Sequence, residues 1–419
     1  MSKVTVLKFG GSSVKNIGRI HHVAGVIRRA QSAQRKCVVV VSAMGDTTDH
    51  LYGLAKQCSV SPDKRELDLL LSTGEQVAIA LLALTLRETG VKAKSFTGPQ
   101  IGIQTDNSHS TARILDICQE TLRAALDEND VIVVAGFQGL SEEGEITTLG
   151  RGGSDTTAVA LAAACGADRC DIYTDVDGIF TTDPNKIDDA RILDWICYDE
   201  VLEMARVGAQ VIHPRAVELA KEYGLEVRVR NTFKPEHTGT LINGGMNVER
   251  IRKVTGVAVD GNQAHVTFKN VAQDLPFIGT LADRLGKENI SVDMVAQSGD
   301  DSTRQKTIQL SIKYGDVDHA VKCLHELKNG CGAIDLSIDL QVAKVSLIGS
   351  GLGGSPETSA RLLSLLERNG IYVKQFYCSE VRISCLVPLQ AASHAAELIH
   401  REFKLNECQT PPLTLVRSA

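Results

Sequence analysis

The chain has 419 residues, of which 43% are hydrophobic and 23% charged, a composition typical of a soluble globular protein with about two to four domains. The net charge of -6 and the aromatic content of 4% argue against nucleic-acid binding, which uses basic patches and stacking rings. The 11 cysteines include no C-x-x-C pair, the N-terminus lacks a signal peptide, and no run reaches the about 18 apolar residues of a membrane span. We therefore expect a cytoplasmic protein without membrane association.

The first half of the chain alternates predicted strands with predicted helices. Short, fully apolar and β-branched runs predict strands buried on both faces of a parallel sheet. They are VTVLKF (4–9), CVVVVSAM (37–44), VIVVAGF (131–137) and CDIYTDV (170–176). Helical patterns cover 65–90, 154–166 and 213–224. We expect Ser154 and Asp155 to cap the second helix and an α/β domain that ends near 243–245.

The first predicted strand ends in KFGGSSV, which places Lys8 before Gly10 and Gly11. Unpaired backbone N–H groups and a helix dipole at such a turn favour phosphate, and Lys8 adds a positive charge at the same end. The segment is neither a Walker A loop nor a dinucleotide fingerprint. A tight turn with a solvated lysine remains an equal alternative from these residues alone.

A second glycine-rich loop, TTLGRGGSDTTA (147–158), opens another helix and contains Arg151. Loops at the carboxyl ends of parallel strands face each other, and ligands bind there in open α/β folds. An arginine suits bidentate recognition of carboxylate or phosphate. Helix capping explains Ser154 and Asp155 but leaves Arg151 and its glycines unexplained.

Three further segments also indicate a ligand site at the carboxyl ends of the strands. Asp177-Gly178 predicts a hairpin turn directly after a buried strand. Gly74 precedes Glu75 inside a helical pattern, where a glycine costs about 1 kcal/mol and indicates close approach to a ligand. SAMGDTTD (42–49) is a polar loop after another buried strand.

The second half of the chain contains a repeat. LADRLGKENISVDMVAQS (281–298) matches LLSLLERNGIYVKQFYCS (362–379) at constant offset. The flanking strand and helix patterns predict a βαββαβ unit, twice, each under about 80 residues. Such small units expose a sheet face and pair with each other or with a second chain.

In this order, KFGGSSV, VSAMGDTTD, LSTGEQ, GFQG, TTLGRGGSDTTA and YTDVDGIFTTDP resemble the aspartate kinases of the amino-acid kinase family, and the repeats resemble their two ACT domains. The resemblance implies a mostly parallel α/β sheet sandwiched by helices, followed by two ferredoxin-like βαββαβ domains. The expected boundaries are 1–245 for the kinase domain, 262–340 for the first ACT domain and 341–419 for the second.

The resemblance also implies phosphoryl transfer from ATP to the β-carboxylate of L-aspartate, with Mg²⁺ arriving with ATP and no protein ligand assigned to it. Lys8 is expected to screen charge, with Asp155 orienting it or the substrate ammonium. Arg151 is expected to hold the substrate α-carboxylate and Glu75 the α-ammonium. The residues expected to add hydroxyl contacts to aspartate are Thr48 and Ser154. The residues expected to contact nucleotide are Lys8, Phe9, Gly10, Gly11, Ser42, Thr174, Asp175, Phe180, Asp183 and Lys186.

The chain departs from the family pattern at two nucleotide positions. Gln210 stands where the family often has lysine, and Asn185 where it often has arginine. The neighbouring Lys186 can substitute for that arginine, so ATP affinity rather than ATP use is the property these changes affect.

The ACT resemblance implies an effector amino acid, lysine or threonine or both, and a homodimer or larger assembly. Asp274 is the expected effector contact, with Ser298 and Ser379 at matching repeat positions, while Phe277 replaces a family glycine. Repeats that serve assembly without a ligand are the alternative, and the sequence leaves open whether an internal start near Met246 yields a separate regulatory subunit.

Two other functions compete with aspartate phosphorylation. One is a kinase of another acidic amino acid, such as glutamate or acetylglutamate. The other is a catalytically weak amino-acid sensor, which the presence of Lys8, Glu75, Arg151 and Asp155 argues against.

Overall fold

The computed structural model describes residues 4–31, 35–208, 211–244, 253–300, 302, 304–330 and 334–407. The chain forms two compact units. The first comprises residues 1–180, 192–206 and 210–247, and the second comprises 181–191, 207–209 and 248–419. Each unit is described by itself.

The elements of the first unit alternate between strands and helices. In chain order they are β1 (Val4–Phe9), α1 (Ile17–Gln31), β2 (Lys36–Val41), α2 (Thr47–Cys58), α3 (Lys64–Glu88), β3 (Ala93–Phe96), α4 (Gly98–Ile101), β4 (Ile103–Thr105), β5 (Ile114–Ile117), α5 (Gln119–Glu128), β6 (Val131–Ala135), β7 (Gln138–Ser141), β8 (Ile146–Thr148), α6 (Gly153–Ala164), β9 (Arg169–Thr174), β10 (Trp195–Cys197), α7 (Tyr198–Arg206), α8 (Pro214–Tyr223), β11 (Glu226–Asn231) and β12 (Thr240–Asn243).

An eight-stranded sheet forms the centre of this unit, in the order β10-β12-β11-β9-β1-β2-β6-β3. Every pairing is parallel except that of β11 with β12. The four strands predicted from apolar runs are confirmed, and they lie side by side as β9, β1, β2 and β6. Their burial on both faces is what a parallel sheet covered by helices requires.

Helices cover both faces of this sheet. Apolar side chains of α1 and α3 pack with Leu7, Val39 and Val133 on one face, and α6 packs against β1, β2 and β9 on the other. Among the described residues, α3 alone is long and apolar enough to cross a membrane by length and composition, but 50% of its most apolar window is buried inside the unit. It is the core helix of this face.

The structure departs from the sequence prediction at three places. The four-stranded sheet β5-β4-β7-β8 was not predicted, because its strands have only three or four residues each. The expected capping by Ser154 and Asp155 is wrong, because the N-cap of α6 is Gly152 and both residues lie inside the first turn. The expected hairpin at Asp177-Gly178 is wrong, because β9 already pairs with β11 and β1 on its two sides and, in the described chain, no strand directly follows the bend at 175–178. The Asp177 carboxylate instead bonds to Asn231 and Lys234 beside β11.

The second unit contains β13 (Val254–Ala272), α9 (Phe277–Lys287), β14 (Val292–Asp300), β15 (Gln305–Lys313), α10 (Val317–Gly330), β16 (Asp335–Gly349), α11 (Pro356–Arg368), β17 (Gln375–Cys378), β18 (Arg382–Pro388) and α12 (Ala392–Glu402). These elements confirm the predicted order of strands and helices in both repeats up to residue 407. The expected last strand of the second repeat lies outside the described residues.

The six strands form one sheet in the order β14-β15-β13-β16-β18-β17. Two long strands, β13 and β16, run through both repeats. The first part of β13, residues 254–260, pairs with residues 344–349 of β16 at the second repeat, and its last part pairs with β15 and with residues 335–339. The predicted domain boundaries stay a prediction, and those at 245 and 419 lie outside the described residues.

Candidate active site

The candidate site lies where the carboxyl ends of β9, β1, β2 and β6 meet. Backbone hydrogen bonds join the loops that leave these strands. The Gly10 N–H donates to the Tyr173 carbonyl at 3.2 Å, and the Ser42 N–H donates to the Phe9 carbonyl at 3.1 Å. The Gly136 N–H donates to the Val41 carbonyl at 3.1 Å. The parallel topology therefore brings four loops to one edge, as the two glycine-rich segments predict.

Lys8 and Asp155 form an ion pair at this edge. The Lys8 ammonium lies 2.6 Å from Asp155 Oδ1, with the two side chains 12% and 11% exposed. The other oxygen of Asp155 accepts a hydrogen bond from the backbone N–H of His213 at 3.3 Å. A Cβ added at Gly10 would lie 3.6 Å from the Lys8 ammonium, so the missing side chain leaves room beside this charge. The pair holds a lysine in a mostly buried site that is open next to Gly10.

Glu75 is a buried carboxylate one loop away. It is 3% exposed, and its Oε1 accepts a hydrogen bond from the Ala43 N–H at 3.0 Å. Its Oε2 is buried without a hydrogen-bond partner among the described residues. Burial raises the pKa of Glu75 to about 7, an effect that the hydrogen bond from Ala43 only partly offsets. An unpaired buried oxygen of this kind is suited to accept a donor from a ligand.

Gly74 explains why Glu75 lies so close to the loop after β2. A Cβ at Gly74 would lie 2.9 Å from the Ala43 Cβ and 3.4 Å from the Thr47 Cγ2. The sequence predicts close approach of Gly74 to a ligand, whereas in the structure Gly74 lies against the loop at 42–47, which α3 contacts there. Thr48 follows in the first turn of α2 and is half-buried.

Arg151 lies in the loop between β8 and α6, residues 149–152, here called the arginine loop. Its side chain is exposed, and no other described residue forms a hydrogen bond or an ion pair with it. Gly150 and Gly152 have φ of +77° and +69°, a region that favours glycine. A Cβ at Gly152 would lie 2.1 Å from the Cγ of His213, so glycine is also required for space. The Arg151 side chain is thus exposed, while the backbone of the loop that carries it is tightly packed.

Ser154 packs against Gly136 after β6. It is 7% exposed, and a Cβ at Gly136 would lie 2.6 Å from its Oγ and 2.9 Å from its Cα. The second distance involves backbone, which a rotamer change cannot relieve. The absence of a side chain at Gly136 therefore sets the position of the first turn of α6.

We expect Gly136→Ala to destabilise the protein by about 1–3 kcal/mol, because the new methyl group overpacks the start of α6. Gly25→Ala is the matched control: Gly25 lies inside α1 with nothing within 4 Å of an added Cβ, and alanine there should stabilise by up to about 1 kcal/mol. Thermal unfolding of both variants measures the difference. A Gly136→Ala midpoint equal to that of Gly25→Ala contradicts this packing.

The loop after β9 is held by the end of β11. The Thr232 N–H donates to the Thr174 carbonyl at 2.8 Å, and Thr174 Oγ1 donates to Asp175 Oδ1 at 3.2 Å. The Lys234 ammonium bonds to Asp177 Oδ2 at 2.7 Å and holds the pKa of Asp177 below its usual value. Thr174 and Asp175 therefore lie at the same edge as Lys8, one strand away.

Four of the residues predicted to contact nucleotide have other partners in the structure, as follows. Phe9 is fully buried and stacks on Tyr173 with ring centroids 4.8 Å apart, which leaves its side chain no access to a nucleotide. Phe180 forms an isolated bridge with Ile192. Asp183 and Lys186 belong to the second unit, where their charges lie 3.7 Å apart. Gln210 lies outside the described residues.

Sequence reasoning missed three residues that support the site. Asp68, fully buried on α3, was hidden by the apolar pattern around it, although its spacing of seven from Glu75 places both on one helix face. Phe137 has φ of +71°, which no residue pattern indicates. His213, whose backbone N–H bonds to Asp155, has a pKa lowered by burial.

In the second unit, Asp274 is exposed in the turn before α9, and Ser298 is exposed on β14. Ser379 forms a turn in which its N–H donates to the Arg382 carbonyl at 2.8 Å. Phe277 is 1% exposed and packs edge-on against Phe268. The phenyl ring thus belongs to the hydrophobic core of the first repeat.

Comparison with known proteins agrees with this architecture. Residues 3–231 match the amino acid kinase family, and residues 345–403 match the ACT domain. The chain is 45% identical over 401 residues to an aspartokinase of Bacillus sp. (strain MGA3), which covers 96% of this chain and 97% of that protein.

Two solved structures are similar over 96% of this chain at 25% identity. One is E. coli aspartokinase III in complex with aspartate and ADP (R-state), with a TM-score of 0.76 and 99% of that chain covered. The other is the same enzyme in complex with lysine and aspartate (T-state), with a TM-score of 0.77 and 100% of that chain covered.

Proposed function

The chain belongs to the amino acid kinase family as an aspartokinase with a C-terminal ACT domain, and from this premise we propose how its own residues carry out the reaction. The enzyme transfers a phosphoryl group from ATP to the β-carboxylate of L-aspartate and forms 4-phospho-L-aspartate, the first step towards lysine, threonine and methionine. The Lys8–Asp155 ion pair at the strand ends is the observation that carries the proposal.

The nucleophile needs no general base, because a carboxylate is already ionised at pH 7. Its approach to ATP is opposed by repulsion between anions, so catalysis consists of positioning and charge stabilisation. Lys8 is the cation available at the strand ends, and Asp155 at 2.6 Å fixes the position of its ammonium. We assign to Lys8 the stabilisation of the charge shared by the attacking carboxylate and the transferring phosphoryl group.

Glu75 and Arg151 are the proposed contacts for the α-amino and α-carboxyl groups of aspartate. The unpartnered Oε2 of Glu75 suits an ammonium, and the exposed guanidinium of Arg151 suits a carboxylate. Thr48 and Ser154 offer hydroxyls at the starts of α2 and α6. Together these groups distinguish an α-amino acid from a simple carboxylate.

The nucleotide is proposed to lie over Gly10 and Gly11, with Ser42, Thr174 and Asp175 beside it. A Cβ at Gly11 would lie 2.9 Å from the Ala43 carbonyl, so this backbone passes close to the loop after β2, and the space beside Lys8 fits a phosphate oxygen. When bound with the nucleotide, Mg²⁺ supplies neutralisation of phosphate charge. Asp183 and Lys186 remain proposed nucleotide contacts from the family resemblance.

ADP release that depends on L-aspartate tests the reaction. We expect release with ATP and L-aspartate, and at most a small fraction of that rate with L-glutamate or N-acetylglutamate. Equal rates with glutamate would point to the kinase of another acidic amino acid, and no release with any of the three would point to the sensor. The Lys8→Ala variant is the matched negative control.

We propose that the ACT region binds an amino-acid effector, with lysine as the first candidate because the similar E. coli aspartokinase III is known in complex with lysine. Exposed Asp274 offers a carboxylate for the effector ammonium. We expect calorimetry to detect lysine, and a coupling of about 1–3 kcal/mol gives about 5- to 150-fold weaker aspartate or ATP binding. Asp274→Ala should weaken the inhibition and leave uninhibited turnover unchanged. No heat and no inhibition with lysine or threonine would mean that the repeats serve assembly alone.

We further propose a homodimer or larger assembly built through the second unit. Among the described residues, the strands β14 and β17 each pair on one side alone, and Val295 and Tyr377 on them are 52% and 40% exposed. Sedimentation of the full chain against its mass of 45.1 kDa is the direct measurement.

A further inference from the structure

Asp68 is a fully buried carboxylate surrounded by hydrogen-bond donors from two loops. Its Oδ2 accepts from His109 Nδ1 at 2.8 Å and from the Thr148 N–H at 3.0 Å, and its Oδ1 accepts from Thr148 Oγ1 at 2.6 Å. The Ser110 N–H donates to both oxygens at 3.1 and 3.0 Å. Burying a carboxylate is costly unless it is hydrogen-bonded in this way, so the arrangement fixes Asp68 and its donors relative to each other.

The two segments that Asp68 joins are the ones that support the arginine loop. Thr148 directly precedes this loop, and the Ala112 N–H donates to the Thr148 carbonyl at 3.0 Å. A Cβ at Gly150 would lie 2.9 Å from the Ser110 carbonyl, so the loop rests on the backbone that Asp68 binds. Arg215 also joins the arginine loop to this backbone, because its guanidinium donates to the carbonyls of Leu149 and Ala112 at 2.6 and 2.8 Å.

Helix α3 connects Asp68 to Glu75, the proposed contact for the substrate ammonium. Asp68 and Glu75 are seven residues apart on α3, about two turns or 10 Å, and both are buried. Glu75 holds the loop after β2 through Ala43, while Asp68 holds the strand end before Arg151. One rigid helix thus sets the spacing between the backbone that carries Arg151 and the carboxylate of Glu75.

We propose that Asp68 is a positioning residue for amino-acid recognition: through Thr148 and Ser110 it places Arg151 at a fixed distance from Glu75, so that both ends of the α-amino acid group are held at once. The inference rests on the proposed roles of Arg151 and Glu75. The side chain of Arg151 has no other described partner, so the arginine depends on its backbone for position. Asp68 is fully buried and both of its oxygens accept from these donors, so we assign it no contact with either substrate.

A double-mutant cycle between Asp68→Asn and Arg151→Ala tests the inference. An amide at position 68 replaces one of the two acceptor oxygens with an NH2 donor, which then faces a donor of Ser110 or Thr148, so Asp68→Asn should raise KM for aspartate about 10-fold and leave KM for ATP within about twofold. Arg151→Ala should raise KM for aspartate about 100-fold. If Asp68 acts through Arg151, the double variant should match Arg151→Ala within about twofold.

Ser72→Ala is the matched control, because Ser72 is equally buried on α3 but, within the described part of the chain, its hydroxyl bonds only to the Leu69 carbonyl of its own helix. It should leave KM for aspartate unchanged. Thr148→Val, which removes one donor to Asp68 and keeps the backbone N–H, should raise it about threefold and can replace Asp68→Asn in the cycle if that variant does not fold.

Four results would each overturn the inference. One is a double variant whose KM for aspartate exceeds that of Arg151→Ala by the full effect of Asp68→Asn, since the two residues then act independently. Another is an equal rise in KM for ATP, or an equal effect of Ser72→Ala, since the role is then structural. An unchanged KM for aspartate in Arg151→Ala removes the proposed role of Arg151, and with it this inference.

Discussion

Lys8→Ala is expected to lower kcat by about 100- to 1000-fold, the typical loss for one group that stabilises transition-state charge. KM for ATP should rise far less, because the charge that Lys8 stabilises develops during transfer. Removal of Lys8 also leaves Asp155, at 11% side-chain exposure, without its cationic partner at 2.6 Å. Steady-state kinetics with both substrates varied measures the two effects separately.

Lys36→Ala is the matched control for Lys8. Lys36 begins β2 at the opposite end of the same sheet, where it pairs with Val4 of β1, and its ammonium bonds to backbone carbonyls at the end of α5. Its replacement should leave kcat unchanged. A Lys8→Ala variant that retains roughly a third or more of the wild-type kcat is incompatible with the proposed charge stabilisation.

Glu75→Gln is expected to weaken aspartate binding and to stabilise the protein. The amide keeps an acceptor for the Ala43 N–H but has no charge for the substrate ammonium, so KM for aspartate should rise about 100-fold. Burial raises the pKa of Glu75 from 4.5 to about 7. The folded protein therefore binds more protons than the unfolded chain between these values, and its stability falls as pH rises through that interval.

Above about pH 7, the ionised Glu75 costs roughly 3 kcal/mol, because one pKa unit corresponds to about 1.4 kcal/mol. Glu75→Gln should accordingly unfold at a higher temperature than wild type at pH 8 and at the same temperature at pH 4. Glu66→Gln is the control, an exposed glutamate on the same helix. A Glu75→Gln variant that is less stable than wild type at pH 8 would show that burial of the ionised carboxylate does not destabilise the protein.

The same pKa predicts the pH dependence of substrate binding. Only the ionised form of Glu75 pairs with the ammonium, so KM for aspartate in the wild type should fall as pH rises to about 7 and stay level above it. In Glu75→Gln this dependence should vanish. A wild-type KM that is flat between pH 5 and pH 8 would assign the ammonium to another group.

Much of the fold could be predicted from sequence because its strong signals are local. Runs such as VTVLKF and CVVVVSAM require burial on both faces, and β1 and β2 satisfy this requirement. The short strands β4, β5, β7 and β8 carry too few residues for a period to emerge. The Asp177-Gly178 turn is not a hairpin because the preceding strand β9 is flanked by β11 and β1, so neither of its sides is free for a returning strand.

The candidate site followed a different pattern. Chemistry-bearing residues were identified one at a time, since lysine, arginine and glutamate are unusual beside glycine or in apolar runs. The family resemblance implies that Asp155 orients Lys8 or the substrate ammonium, and in the structure Asp155 pairs with Lys8 at 2.6 Å. Sequence spacing alone does not indicate this pair, because it depends on strand order and helix placement. Asp68 was overlooked for the same reason: its donors come from loops about 40 and 80 residues later in the chain.

The long strands β13 and β16 have a consequence for how the second unit folds. Residues 254–260 of β13 are synthesised before either repeat, yet they pair with residues 344–349, which emerge after the first repeat is complete. This pairing spans a large sequence separation and makes loop closure slow. Because both strands pass through both repeats, opening either repeat disturbs strands whose pairing is shared with the other. The slowest amide protons of the two repeats should therefore exchange with solvent in a single cooperative event.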